Sequence, residues 1–212
     1  MKKLFLASYF AGTAQLLPDF MGEEIAGKKV VFIPTAALYP WVCEEKETLD
    51  ELVSTDRAAL QNIGLVVEEL DVKNATNEAV TKSITNTDYI FVCGGDSFYL
   101  LQELRRKGAD KLITEHIEKG KLYMGTSAGS LIMQKDIVDD GIEKPELATD
   151  LNGDFSALGI IDFYLYVHYG SHYWGDDDEY IRKFYDKLNY VKISDKQAVT
   201  VNGNDIKIVT AN

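Results

Sequence analysis

Apolar residues in this chain come in short unbroken runs rather than in alternation with polar ones. Leu4–Ser8, Val30–Pro34, Tyr89–Cys93 and Leu122–Met124 are such runs, and Leu65–Leu70 is rich in β-formers. A strand with one face in water reads as alternating polar and apolar residues. Runs without that alternation suit strands buried on both faces, as in a parallel sheet. Helical patterns lie between them. Glu45–Ile63 carries Leu49, Leu52, Val53, Leu60 and Ile63 at helical spacing, Ser97–Lys107 carries Phe98, Leu100, Leu101 and Leu104, and Lys111–Lys119 is shorter. Strands alternating with helices predict an α/β fold of three layers, a mostly parallel sheet with helices on both faces. Ligands of such sheets bind at the carboxyl ends of the strands, so chemistry is sought there.

Past Gly159 the texture changes. Ile160–Tyr169 is rich in apolar and aromatic residues, and Tyr180–Leu188 reads as a helix. Tyr190–Ser194, Ala198–Val201 and Ile206–Thr210 read as strands added to the main sheet, the last two joined by a turn at Asn202-Gly203-Asn204-Asp205. No repeat or linker interrupts the 212 residues, so one domain over 1–212 is expected.

The net charge is −12, from 22 basic and 34 acidic residues. That excess repels phosphate backbones and anionic lipid, so neither a nucleic-acid nor a membrane partner is expected. The opening Met1–Phe10 has a basic start and an apolar run too short for a signal peptide, and no run is long enough to span a bilayer. Cys43 and Cys93 form no metal-binding pattern with His116, His168 and His172. A reduced, cytoplasmic protein without metal or cofactor is expected, as a monomer or homodimer.

Gly125-Thr126-Ser127-Ala128-Gly129 matches G-x-S-x-G, with the Leu122–Met124 strand before it and helix-like Ser130–Met133 after it. A sharp strand-to-helix turn pushes a serine hydroxyl into the open, and glycines on either side remove side chains that would clash. Ser127 is the candidate nucleophile. Cys93-Gly94-Gly95-Asp96-Ser97 ends another strand and opens another helix, so the backbone amides of Gly95 and Ala128 are candidate donors to an oxyanion.

A serine nucleophile needs a base. His116 reads as a surface residue of the Lys111–Lys119 helix. His168 sits where the Ile160–Tyr169 strand breaks into a loop and is the favoured base, while His172, further into the loop, is a candidate substrate contact. The carboxylate that orients the base is Asp195, at a strand end, or the Asp139-Asp140 pair. The order Ser127, His168, Asp195 differs from that of the α/β-hydrolases, in which the histidine comes last.

Taken in order along the chain, the opening strand, Val31-Phe32-Ile33-Pro34, Phe91–Asp96, the Gly125–Gly129 turn and the segment around His168 resemble the peptidase E (aspartyl dipeptidase) family, which includes cyanophycinases. The resemblance implies a fold like that of class I glutamine amidotransferases with serine in place of cysteine. It implies Ser127 as nucleophile, His168 as base, Asp195 as third member where relatives more often carry glutamate, and Gly95 and Ala128 as oxyanion donors. It also exposes a departure. Aspartyl dipeptidases carry an arginine shortly after the histidine, in a Gly-Glu-Thr-Arg-like segment, to pair with the substrate aspartate. Here the similar segment is Gly175-Asp176-Asp177-Asp178-Glu179-Tyr180-Ile181-Arg182.

An acidic substrate side chain beside carboxylates is disfavoured. The expected activity is therefore a serine peptidase acting on short peptides, not Asp-specific, with Asp177 and Asp178 facing a basic or neutral residue. The alternative for that acidic run is a solvated loop at a helix start. The alternative functions are an esterase or amidase on the same turn, and a catalytically silent ligand-binding relative.

Overall fold

The computed structural model describes residues 1–38, 46–137, 143, 145–171 and 188–212, and the side chains of 46–50 are not described. Its elements run β1 (Lys3–Ala7), α1 (Leu17–Met21), β2 (Lys29–Ile33), α2 (Lys46–Asn62), β3 (Val66–Glu69), α3 (Asn77–Asn86), β4 (Tyr89–Val92), α4 (Ser97–Lys107), α5 (Ala109–Glu118), β5 (Leu122–Thr126), α6 (Ala128–Leu131), β6 (Tyr164–Tyr166), β7 (Tyr190–Lys192), β8 (Gln197–Asn202) and β9 (Asp205–Thr210). The helix expected over Tyr180–Leu188 falls outside the described residues except for Leu188.

Seven strands form one sheet in the order β3-β2-β4-β5-β1-β8-β9. The five from β3 to β1 are parallel, and β8 and β9 add antiparallel pairings at one edge. The unbroken apolar runs are explained by what covers the sheet. Along β1, Leu4 and Leu6 pack into one core with Val80 and Ile84 of α3, Leu100, Leu101 and Leu104 of α4, and Ile113 and Ile117 of α5. Phe5 and Ala7 pack into a second core on the opposite face, with Leu17 and Met21 of α1 and Leu60 of α2. The second core is rich in aromatic contacts, with Phe32 and Phe91 stacked at 5.4 Å and Phe10 set edge-on to Phe91 at 4.8 Å. This is the expected α/β three-layer arrangement.

Two expectations change. Tyr190–Ser194 does not join the main sheet. Its strand, β7, pairs in parallel with β6 as a separate two-stranded sheet, Tyr164 opposite Tyr190 and Tyr166 opposite Lys192. His116 is not a surface residue. It is only 4% exposed, and its Nε2 lies 3.0 Å from the carbonyl oxygen of Leu122, tying α5 to the start of β5. Burial lowers its pKa to about 4, so the ring is neutral at pH 7.

Candidate active site

The Gly125–Gly129 turn has the strand–turn–helix setting its sequence predicts. β5 ends at Thr126, Ser127 follows at φ 48° and ψ −117°, and α6 starts at Ala128. A side chain on Gly125 would meet the Gly129 carbonyl oxygen at 2.4 Å, and one on Gly129 would meet the Val92 carbonyl oxygen at 2.2 Å. Both glycines are therefore steric requirements of a turn wedged against the end of β4. Hydrogen bonds from three of its side chains and amides help hold it. The Tyr123 hydroxyl donates to Gly129 O at 2.6 Å, the Ser127 N–H donates to Ala7 O at 3.1 Å, and the Ser130 hydroxyl donates to the same Ala7 O at 2.8 Å. The helix after the turn is four residues long, so its contribution at the site is the local amide of Ala128 rather than a long-helix dipole.

The Gly94–Gly95 turn comes against this serine. A side chain on Gly94 would reach the Ser127 Cβ at 3.1 Å. Gly95, at φ 135°, is closed in by the backbone of Ala36, which would meet a Cβ at 2.3 Å. Asp96 caps α4 by accepting the Tyr99 N–H at 2.8 Å, and the Glu143 carboxylate takes the Ser97 N–H at 2.9 Å. Among the described residues neither the Gly95 nor the Ala128 amide has an acceptor. Solvent reaches the chain at the same places: Ser127 is partly exposed between buried 122–126 and 128–130, and Gly95 between buried 89–94 and 96–104.

His168 and Asp195 arrive from the two-stranded sheet. His168 lies two residues past β6 and Asp195 three past β7, so parallel neighbours deliver them side by side. The His168 Nε2 is 3.0 Å from the Ser127 Oγ, and its Nδ1 is 2.6 Å from the Asp195 Oδ1. The His168 side chain is 13% exposed and that of Asp195 39%. Burial alone would raise the Asp195 carboxyl. The hydrogen bonds from His168 and Ser8 outweigh it and hold its pKa below the usual carboxylate value. The geometry thus brings Ser127, His168 and Asp195 into one chain of contacts, with the Gly94–Gly95 turn beside it.

Of the other sequence-predicted residues, His172, Asp177, Asp178 and the alternative pair Asp139-Asp140 lie outside the described residues, as does Cys43. Cys93 is a buried free thiol, its pKa pushed well up by burial. No helix among the described residues is long and apolar enough to cross a membrane, and no group of three or more metal-ligating side chains occurs among them. Sequence reasoning missed Ser8, whose hydroxyl touches both His168 and Asp195. Its signal was positional, the last residue of the Leu4–Ser8 run at a carboxyl strand end.

A family model for peptidase family S51 matches residues 4–209. The chain belongs to peptidase family S51. It is a serine-type peptidase by that membership. An uncharacterized peptidase of Listeria monocytogenes is 35% identical over 208 residues, covering 97% of each chain. An uncharacterized peptidase of Pasteurella multocida is 37% identical over 218 residues, covering 100% of this chain and 99% of its own. Peptidase E of Shewanella amazonensis is 38% identical over 112 residues, 51% of this chain and 41% of that one. Among solved structures, a candidate peptidase E protein of Listeria monocytogenes superposes with a TM-score of 0.88 at 34% identity, covering 100% of both chains. A peptidase of an acI-B1 actinobacterium shares the S51 chain's fold, with a TM-score of 0.71 at 19% identity over 100% of this chain and 88% of the other.

Proposed function

We propose that this S51 peptidase hydrolyses short peptides through an acyl-enzyme on Ser127, working as one catalytic unit in a reducing, cytoplasmic setting. The observation that carries the reading is the run of contacts from Ser127 Oγ to His168 Nε2 at 3.0 Å and from His168 Nδ1 to Asp195 Oδ1 at 2.6 Å. With Nδ1–H donated to the carboxylate, the Nε2 lone pair faces the serine hydroxyl. His168 takes the Ser127 proton as Oγ attacks the scissile carbonyl, and Asp195 stabilises the imidazolium that forms. The developing oxyanion is met by the amides of Gly95 and Ala128. The Ser127 amide is unsuited to that role, being spent on Ala7 O. His168 then returns the proton to the leaving amine, and the same groups activate a water that hydrolyses the ester.

For specificity, the acidic run Asp176–Glu179 supports a basic or neutral side chain before the scissile bond, with Asp177, Asp178 and His172 as its contacts. The activity claim is tested by intact mass after treatment with a fluorophosphonate. Wild type gains one adduct, Ser127→Ala gains none, and His168→Ala reacts slower by on the order of a thousandfold or more. Folded wild type that gains no adduct overturns the acyl-enzyme route.

A further inference from the structure

Ser8 lies one residue past β1. The pairing of Ala7 with Thr126 brings it level with Ser127 across the sheet, and it is fully buried. Its Oγ accepts the backbone N–H of His168 at 2.7 Å and donates to Asp195 Oδ1, also at 2.7 Å. A serine hydroxyl has a single proton. A carboxylate only accepts, so that proton belongs to the Asp195 side. The His168 Nδ1 stands 3.4 Å from the same Oγ but 2.6 Å from Asp195 Oδ1, so the carboxylate is its partner. Oδ1 therefore receives two donors, Nδ1–H and the Ser8 hydroxyl. This arrangement requires the Nδ1–H tautomer and leaves Nε2 as an acceptor toward Ser127. The same hydroxyl also holds the backbone of His168, a non-glycine residue at φ 57°, a conformation that persists only where surrounding contacts enforce it.

We propose that Ser8 is a positioning residue for the reaction, fixing the tautomer of His168 and its place against Ser127 through one buried hydroxyl. This inference rests on Ser127, His168 and Asp195 being the reacting set. It assigns Ser8 no contact with substrate, so its loss should appear in the acylation rate rather than in binding.

The test is the second-order rate of fluorophosphonate labelling in wild type, Ser8→Ala, Asp195→Ala and the double variant. Ser8→Ala is expected to label about ten- to hundredfold more slowly, the effect of losing a hydrogen bond to a charged group, with an unchanged circular dichroism spectrum. In the double variant the two losses fall well short of multiplying, because the hydroxyl acts largely through the carboxylate. The downfield proton resonance of His168 Nδ1–H is expected to shift in Ser8→Ala, a change that a packing role alone would not produce. If Ser8→Ala does not fold, Ser8→Cys fills the space with a poor donor and acceptor, and the same slowing is expected. Labelling within twofold of wild type by a folded Ser8 variant, or losses that multiply fully, overturns the role of Ser8 while leaving the acyl-enzyme reading intact. Wild type that fails to label overturns both.

Discussion

Among the described residues, Ser127 and His168 share an uncommon property. With Asn152 they are the non-glycine residues at positive φ. The region is uncommon for any residue but glycine, so the surroundings over-determine both. A different residue departs from another rule. Asp56 is fully buried on α2, its Oδ1 accepts the Ala11 N–H at 3.1 Å, and its Oδ2 has no partner among the described residues. Burial pushes its pKa up to about 7, against a weaker lowering by the Ala11 amide. The folded protein therefore holds a proton on Asp56 that the unfolded chain releases near pH 4. Its contribution to stability is fullest below that value and is lost as pH rises toward about 7. Asp56→Asn removes this titration while keeping an oxygen for Ala11. Its stability relative to wild type is expected to rise between pH 5 and pH 8 by a few kcal/mol, read from urea denaturation at the two values. An equal difference at both would show that Asp56 is not the titrating group.

These residues differ in how legible they were. Ser127 is marked by its G-x-S-x-G turn, and His168 and Asp195 by the rule that chemistry gathers at carboxyl strand ends. Ser8 obeys the same rule but has no neighbouring motif to mark it. Asp56 occupies a position on the apolar stripe of its helix, between Val53 and Leu60, and only tertiary packing tells a buried carboxylate from a solvated one. His116 was misread for the same reason. A polar residue on a short helix reads as exposed until the Leu122 carbonyl appears beneath it.

At the scale of elements, the main sheet was readable because its central strands β1, β2, β4 and β5 are buried on both faces and so lack alternation. α3 was not, since its buried residues are only Val80 and Ile84, one turn apart, and its start is marked by a lone Thr76 cap accepting the Ala79 N–H at 3.2 Å. The three-residue strands β6 and β7 are too short for any periodicity to say which sheet they join. The β5–α6 turn offers a sharp test at this scale. Gly129→Ala drives a methyl group into the Val92 carbonyl, a backbone atom that cannot swing away. A loss of about 3 kcal/mol or more in stability is expected, together with loss of Ser127 labelling, measured by thermal unfolding and intact mass. A variant with wild-type melting temperature and labelling would show that the turn is more pliable than its geometry implies.

For the whole molecule, the charge of −12 sets a field around the active site. A field of that sign concentrates cationic substrates and repels anionic ones, and salt weakens it as the screening length falls from roughly 30 Å at 0.01 M to a few ångströms near 1 M. The proposed preference therefore carries a salt signature. In kcat/KM, Arg-X peptides are expected to exceed Ala-X and Asp-X at low salt by about tenfold or more. Added salt should lower the value for Arg-X and raise that for Asp-X. A clear preference for Asp-X would overturn the non-acidic assignment.

Ser127 follows a strand of the seven-stranded sheet, whereas His168 and Asp195 follow the strands of the two-stranded one. Leu165 of the small sheet and Ile193 just past it share one core with Leu4 and Leu6 of the main sheet. In its proposed role Ser8, rooted in the larger sheet and bonded to the residues beyond the smaller, is a dowel pin between them. On the proposed mechanism a shift of the small sheet by about an ångström would idle the chemistry while every strand stayed paired, so the machine can be out of true without being broken.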